Sequence, residues 1–193
     1  MIKEITDSAA KLPTTARRLG LFALSLLFLS TTGLFAQSMT LEIPQLKPGS
    51  ALPKKNTAGG KALSPPLVWT NLLNQTKEYA LIFEDVEGPR VHWLLYSIPA
   101  KATRLREGIP KDEVLSEPSS LVGTIQGITD FKQLGIGYIA PTAEAGKPHR
   151  YVFTLYALDA RLGLQPGLDK ASLLVLMQGH IIGKAQFEVR SGN

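Results

Sequence analysis

The side chains best suited to chemistry in this sequence are three histidines, His92, His149 and His180, because its 193 residues include no cysteine. Asp85 ends an apolar segment and His92 opens the next one after a Gly-Pro turn, so both can lie at one end of a β-sheet. A carboxylate beside an imidazole fixes which ring nitrogen carries the proton, and imidazoles donate hydrogen bonds to anions. The same groups are ingredients of acid–base catalysis. A histidine on a strand can equally be a hydrogen-bonded core residue.

The composition argues against several classes of site. Without cysteine the chain has no disulfide, no thiolate nucleophile, no cysteine-ligated metal and no lipid attachment of the bacterial lipoprotein type. It has no Gly-x-Ser-x-Gly pattern, and the spacing of its histidines matches no metal motif. We therefore expect no enzyme activity, no metal and no cofactor.

The N-terminus has the pattern of a secretory signal peptide over residues 1–38. A pair of arginines precedes the apolar run 19–29, small residues follow it, and cleavage is expected after Ala36 or Ser38. The sequence thus predicts a periplasmic or secreted protein. The alternative is an uncleaved N-terminal anchor in the inner membrane, since the apolar stretch approaches the about 20 residues that a span needs.

Residues 39–193 are long enough for one domain with its own core. The formal net charge of +5 includes four basic and two acidic residues of the predicted leader, so the remainder is close to neutral. It contains no run of basic residues. Nucleic acid is therefore not an expected partner, because its binding needs a concentrated basic face.

The remainder of the chain is rich in strand signals. One helix is predicted from Asp169, a suitable N-cap, to about Gln178. The segment 100–145 is rich in Gly, Pro and Ser and has little periodicity, and a connection of this length tends to be functional. The predicted strands are 78–84, 91–98, 149–157 and 181–189. These elements predict an all-β sandwich or a barrel-like body with little helix.

Five segments also occur in the order in which one protein family has them. They are 64–69 (SPPLVW), 85–89 (DVEGP), 92–100 (HWLLYSIPA), 137–141 (GYIAP) and 146–159 (GKPHRYVFTLYALD), with Gly179-His180 after the predicted helix. Together they resemble the phosphatidylethanolamine-binding protein family, also called Raf kinase inhibitor-like, in its small bacterial branch. The resemblance covers about residues 40–190. It implies a β-sandwich in which a central antiparallel sheet packs on a smaller sheet, with one or two short helices.

The resemblance further implies a small pocket at one end of the central sheet. Members of the family bind anions there, such as phosphate, acetate or a phospholipid headgroup. The matching residues of this chain are Asp85, His92, Pro141, His149 and Tyr151. Imidazoles and a tyrosine hydroxyl can donate to phosphate oxygens, and Asp85 would hold one imidazole in its donating tautomer.

This chain departs from the family pattern around that pocket. Val86 and Gly88 replace the usual residues of the acidic loop, Glu87 stands in place of an aspartate, and Ala143 and Glu144 interrupt a proline-rich segment. Glu144 adds negative charge beside a site for anions. The altered loops leave open a different ligand, a weaker one or a vestigial pocket.

The alternative function is a protein-interaction module, such as a protease inhibitor. Such a module needs an exposed loop, and 100–135 is the candidate. The sequence thus leaves two kinds of partner open, a small anionic ligand or phospholipid headgroup and another protein. Whether the protein forms an oligomer is also left open by the sequence.

Overall fold

In the computed structural model, which describes residues 38–142 and 147–191, the long apolar segments form antiparallel sheets. The strands of these residues are, in chain order, β1 (Thr40–Glu42), β2 (Leu67–Thr70), β3 (Glu78–Asp85), β4 (Arg90–Pro99), β5 (Arg104–Leu105), β6 (Ile125–Gln126), β7 (His149–Leu158) and β8 (Ile181–Ser191). A five-stranded sheet has the order β6-β4-β3-β7-β8, and a three-stranded sheet has the order β1-β2-β5. The predicted β-sandwich and all four predicted strands are confirmed.

The central strand β3 is buried on both faces of the large sheet. Its residues Tyr79, Leu81 and Phe83 point into the core between the two sheets, whereas Ala80 and Ile82 point into a second cluster on the other face. Successive side chains of a strand point to opposite faces, so a strand with cover on both sides needs apolar residues at every position. The pattern agrees with the central place of β3, which pairs with β4 on one side and with β7 on the other.

The second cluster is covered by the helix α1 (Lys170–Met177). The Asp169 side chain accepts a hydrogen bond of 2.8 Å from the Ser172 amide, so the predicted N-cap is confirmed. Leu173 and Met177, four residues apart, face the sheet and are buried, whereas Leu176 is exposed. The helix therefore uses a narrower apolar face than its leucine content suggests.

The segment that follows β4 is packed against the body along much of its length. It supplies β5 to the small sheet and β6 to the large one, and Leu115 and Leu121 are buried in the core. Gln126 on β6 accepts a hydrogen bond from the Trp93 indole at 2.8 Å and donates to the carbonyls of Pro110 and Asp112, both at 2.7 Å. These contacts tie the segment to the centre of the large sheet.

The predicted signal peptide lies, except for its last residue, outside the described residues. The substitutions Ala143 and Glu144 also lie outside them. Among residues 38–142 and 147–191, no helix is both long enough and apolar enough to cross a membrane.

Candidate functional site

The site is built at the end of β3, where the chain turns into β4. Asp85 is the last residue of β3, and its Oδ1 accepts hydrogen bonds from the amides of Glu87 at 2.9 Å and Gly88 at 3.0 Å. An aspartate at this position stabilises a tight turn through its side chain. The same bonds fix the orientation of the carboxylate, so its second oxygen faces the neighbouring strand β7.

That second oxygen meets His149, the first residue of β7. The Nδ1 atom of His149 lies 2.7 Å from Asp85 Oδ2. Burial alone would raise the pKa of Asp85, but hydrogen bonds from the Gly88 amide and His149, together with the charge of His149, hold that pKa below its usual range. The carboxylate is therefore ionised at neutral pH and accepts, so Nδ1 of His149 donates.

His92 reaches the same end of the sheet from β4. It is 5 % exposed, and its Nδ1 lies 2.8 Å from the carbonyl oxygen of Ile139. A carbonyl only accepts hydrogen bonds, so Nδ1 carries a proton, and in the neutral ring Nε2 is an acceptor. Burial lowers the pKa of His92 despite the Ile139 hydrogen bond and the nearby charge of Asp85. His92 is therefore neutral at pH 7.

Tyr151 packs between the two histidines. It lies two residues after His149 on β7, so both side chains are on the same face of the sheet. Its ring is edge-on to His92 with centroids 5.3 Å apart, and it is stacked with His149 at 6.3 Å. The Tyr151 ring therefore packs against both imidazoles, whose Nδ1 atoms are held by hydrogen bonds.

These side chains surround a cavity of about 390 Å³. Its remaining wall contains Arg90, Phe131 and Thr142, and the guanidinium carbon of Arg90 lies 5.6 Å from the centre of the Phe131 ring. The ring thereby positions the charge of Arg90 at the cavity. The cavity thus combines a guanidinium, two imidazoles and hydroxyl groups with one carboxylate that is already hydrogen-bonded.

The structure brings together four of the five residues assigned to the pocket, Asp85, His92, His149 and Tyr151. The fifth, Pro141, is buried beside the cavity wall, and its carbonyl accepts a hydrogen bond of 2.9 Å from the Ala58 amide. The neighbouring residue Thr142 takes its place in the lining.

The remaining histidine, His180, is elsewhere. His180 directly precedes β8, and its Nδ1 lies 3.0 Å from Oδ1 of Asp159, which directly follows β7. Both side chains are exposed. No group of three or more His, Asp or Glu side chains suited to a metal ion occurs in the part of the chain that the structure describes.

Arg90, Phe131 and Thr142 were not predicted as site residues. Arg90 lies two residues before His92, and a cation so close to a candidate anion site was a usable signal. Phe131 follows Asp130, whose carboxylate accepts a 2.7 Å hydrogen bond from the Val91 amide. This bond holds the segment around Phe131 against the start of β4.

Comparisons with known proteins place the chain in one family. Residues 42–191 match the family model of the phosphatidylethanolamine-binding proteins. A UPF0098 protein of Methanothermobacter thermautotrophicus is 36 % identical over 151 residues, which are 77 % of this chain and 95 % of the relative. A UPF0098 protein of Aquifex aeolicus is 36 % identical over 143 residues, which are 72 % of this chain and 80 % of the relative.

Solved structures show the same fold. A phosphatidylethanolamine-binding protein homologue of Chlamydia trachomatis superposes with a TM-score of 0.69 at 30 % identity, covering 82 % of this chain and 99 % of that one. YbcL of Escherichia coli, described as a member of the mammalian family, superposes with a TM-score of 0.67 at 23 % identity, covering 81 % and 99 %.

Proposed function

The chain belongs to the phosphatidylethanolamine-binding protein family, and we propose that it is an exported binding protein for small phosphate-type anions. The ligand occupies the cavity of Asp85, His92 and His149 at the end of the large sheet. The protein acts by binding rather than by catalysis.

The observation that carries the proposal is the Asp85–His149 pair beside Arg90. The carboxylate holds Nδ1 of His149 and so fixes the orientation of a ring that lines the cavity. Asp85 itself is compensated by two amides and one imidazole, so its charge opposes an anion less than an unpaired carboxylate would. Arg90 adds a permanent positive charge, and guanidinium groups bind phosphate oxygens in pairs.

Neutral His92 makes the site suited to a phosphate that carries a donor. With Nδ1 bound to Ile139, the other ring nitrogen accepts a hydrogen bond. A protonated phosphate oxygen or the ammonium group of a phospho-headgroup offers such a donor, whereas a simple carboxylate does not. Phosphoethanolamine and inorganic phosphate should therefore bind better than acetate.

Thermal unfolding of the protein, purified after expression of the full chain, tests this ranking. A ligand that binds only the folded state raises the midpoint temperature of unfolding. At a concentration of about a hundred times Kd, it adds about 2.7 kcal/mol to the free energy of unfolding. We expect stabilisation by phosphoethanolamine and phosphate, weaker stabilisation by acetate, and loss of the effect in His149→Ala. Lys184→Gln, which removes an exposed cation on β8, is the control and should respond as the wild type does. Failure of all three ligands, or an unchanged response in His149→Ala, would contradict the proposal.

Export rests on the sequence pattern of residues 1–38. Fractionation of expressing cells followed by N-terminal sequencing should find the protein in the periplasm or medium, starting at Gln37 or Met39. A membrane-bound chain that retains Met1 would favour the N-terminal anchor instead.

One observation favours the alternative of a protein-interaction module. Val114, Val122 and Leu134 in the segment 100–135 expose between 44 % and 58 % of their surface. Exposed apolar side chains of this kind can contact another protein. The segment is otherwise fixed to the body by buried side chains, as a rigid binding loop requires.

A further inference from the structure

A second cavity lies at the opposite end of β3 from the Asp85 cavity. Its volume is about 580 Å³. Its polar lining is formed by Lys77, Glu78, Ser97, Lys101, Ser119 and Arg161. Glu78 begins β3 and Asp85 ends it, so at about 3.3 Å per residue their Cα atoms are about 23 Å apart. The two cavities are therefore separate.

Glu78 is a buried carboxylate whose hydrogen-bonding capacity is largely unused. It is 5 % exposed, and among the described residues its one hydrogen bond comes from the Leu162 amide, at 3.2 Å from Oε1. Asp85, by contrast, accepts three hydrogen bonds. Burial raises the pKa of Glu78, and the Leu162 amide and the charge of Arg161 only partly oppose this. A carboxylate held in this way can accept hydrogen bonds from a ligand.

Three cations face the same cavity. Lys77, Lys101 and Arg161 line it, and none of them forms an ion pair with the described residues. With Glu78 as the one carboxylate of the lining, they leave a surplus of at least two positive charges. A phosphate monoester carries a charge of about −1.5 to −2 at pH 7 and matches this surplus better than a carboxylate does.

The backbone is irregular at the wall of this cavity. Ser97 has a φ of 54°, which is uncommon for any residue other than glycine. It lies where the pairing of β3 with β4 shifts register between Tyr79 and Leu81. Such bulges redirect side chains, and left-handed residues of this kind are concentrated at functional sites. Ser97, which lies in this bulge, is one of the residues that line the second cavity.

We propose that this second cavity binds a hydroxylated phosphate monoester, a phosphorylated polyol or sugar. Lys77, Lys101 and Arg161 bind the phosphate, and Glu78 accepts a hydrogen bond from a hydroxyl of the same molecule. The serine hydroxyls of Ser97 and Ser119 are available to the remaining polar groups. The site is independent of the anion cavity at Asp85.

NMR titration of the ¹⁵N-labelled protein, purified after expression of the full chain, tests this site. The probe is glycerol 3-phosphate, with glycerol and inorganic phosphate as comparisons. We expect the probe to shift the amide signals of Ser97, Lys101 and Gly163 in the wild type and equally in His149→Ala, which disables the first cavity. Glycerol should leave them unshifted, and inorganic phosphate should bind at least tenfold more weakly.

Two double variants distinguish specific binding in the second cavity from general attraction by surface charge. Lys101→Gln/Arg161→Gln should weaken binding of glycerol 3-phosphate at least tenfold. Arg104→Gln/Lys184→Gln removes the same charge from exposed residues outside both cavities and should leave binding unchanged. Glu78→Gln should bring the affinity for glycerol 3-phosphate down to that for inorganic phosphate.

Other outcomes would overturn the proposal. Unshifted signals at Ser97, Lys101 and Gly163, or shifts that disappear in His149→Ala, would show that the probe does not bind here. Equal weakening by both double variants would reduce the effect to surface charge. Equal affinity of phosphate and its glycerol ester would remove the role of Glu78.

Discussion

The imidazole of His149 donates from Nδ1 to Oδ2 of Asp85 over 2.7 Å, although 64 residues separate them in the chain. The contact exists because β7 pairs with β3, which sets Asp85 opposite Tyr151. Asp85 thereby joins the turn into β4 to the first residue of β7. A single carboxylate fixes both the shape of the loop and the orientation of a ligand-binding ring.

Replacing Asp85 by Asn should impair ligand binding more than folding. Asn retains an oxygen that can accept from the Glu87 and Gly88 amides, so the turn is preserved. Its amide group cannot accept from Nδ1 of His149, so the ring loses its charge-assisted hydrogen bond, worth about 1.5–3 kcal/mol. We expect calorimetry to show at least tenfold weaker binding of phosphoethanolamine. The free energy of unfolding, measured in urea, should change by less than the free energy of binding does.

Asp85→Ala provides the comparison for this prediction. It removes the acceptor of both turn amides as well as that of His149, so it should lower stability further than Asp85→Asn does. Equal stability of the two variants would mean that the amide bonds of the turn contribute little. Full ligand affinity in Asp85→Asn would show that the orientation of His149 does not depend on the carboxylate.

The lowered pKa of His92 predicts a loss of stability in mild acid. The folded state resists protonation of this buried ring, whereas the unfolded chain takes up the proton near pH 6.5. The unfolded state therefore binds more protons below that pH, and the contribution of His92 is lost at up to about 1.4 kcal/mol per pH unit. Asp85 and Asp130 favour the charged ring and Arg90 opposes it, but burial is the largest effect.

Urea unfolding between pH 7.5 and 5 measures this effect against His92→Asn. The Asn amide can still donate to the Ile139 carbonyl but does not titrate. The wild type should lose stability faster than the variant as the pH falls, because the variant differs from it only at the buried ring. Parallel curves would mean that His92 is as easily protonated in the folded protein as in the unfolded one.

The strands and the helix were predictable from local pattern, whereas the partners within the site were only partly so. Residues 79–83 are apolar at every position and residues 151–157 at every position except Thr154, which is the pattern of strands covered on both faces. Family motifs placed Asp85 and His149 in one pocket. Which imidazole Asp85 holds was left open, because the answer depends on β7 lying next to β3.

The second cavity was beyond sequence reasoning for a similar reason. A glutamate that begins a strand is usually hydrated, and nothing in the order of residues marks Glu78 as buried. Its burial follows from neighbours far away in sequence, the Leu162 amide and the end of β4. The positive φ of Ser97 is likewise a consequence of pairing between strands, since serine itself does not favour it.

Gln126 is expected to be essential for fixing the segment between β4 and β7. Its side chain is almost completely buried and bridges the Trp93 indole to the carbonyls of Pro110 and Asp112. Gln126→Ala would leave the buried Trp93 indole N–H without its acceptor and would remove the donor to the carbonyls of half-buried Pro110 and exposed Asp112. It should lower stability by about 2 kcal/mol in urea unfolding. The exposed Gln133→Ala is the matched control and should stay within about 0.5 kcal/mol of the wild type.

Glu78→Gln should stabilise the protein, although it weakens the binding of glycerol 3-phosphate in the second cavity. The folded-state pKa of Glu78 is raised, so the folded protein holds its proton more tightly than the unfolded chain, and stability falls as the pH rises above about 4.5. Gln removes this loss and still accepts from the Leu162 amide. We expect a gain of about 1 kcal/mol at pH 7.5 that shrinks toward pH 4, measured by urea unfolding. Glu84→Gln, which breaks the contact with Lys170 at the other end of β3, should show no such gain. Destabilisation by Glu78→Gln at pH 7.5 would mean that the carboxylate supports the fold and that its burial carries no cost that a ligand could offset.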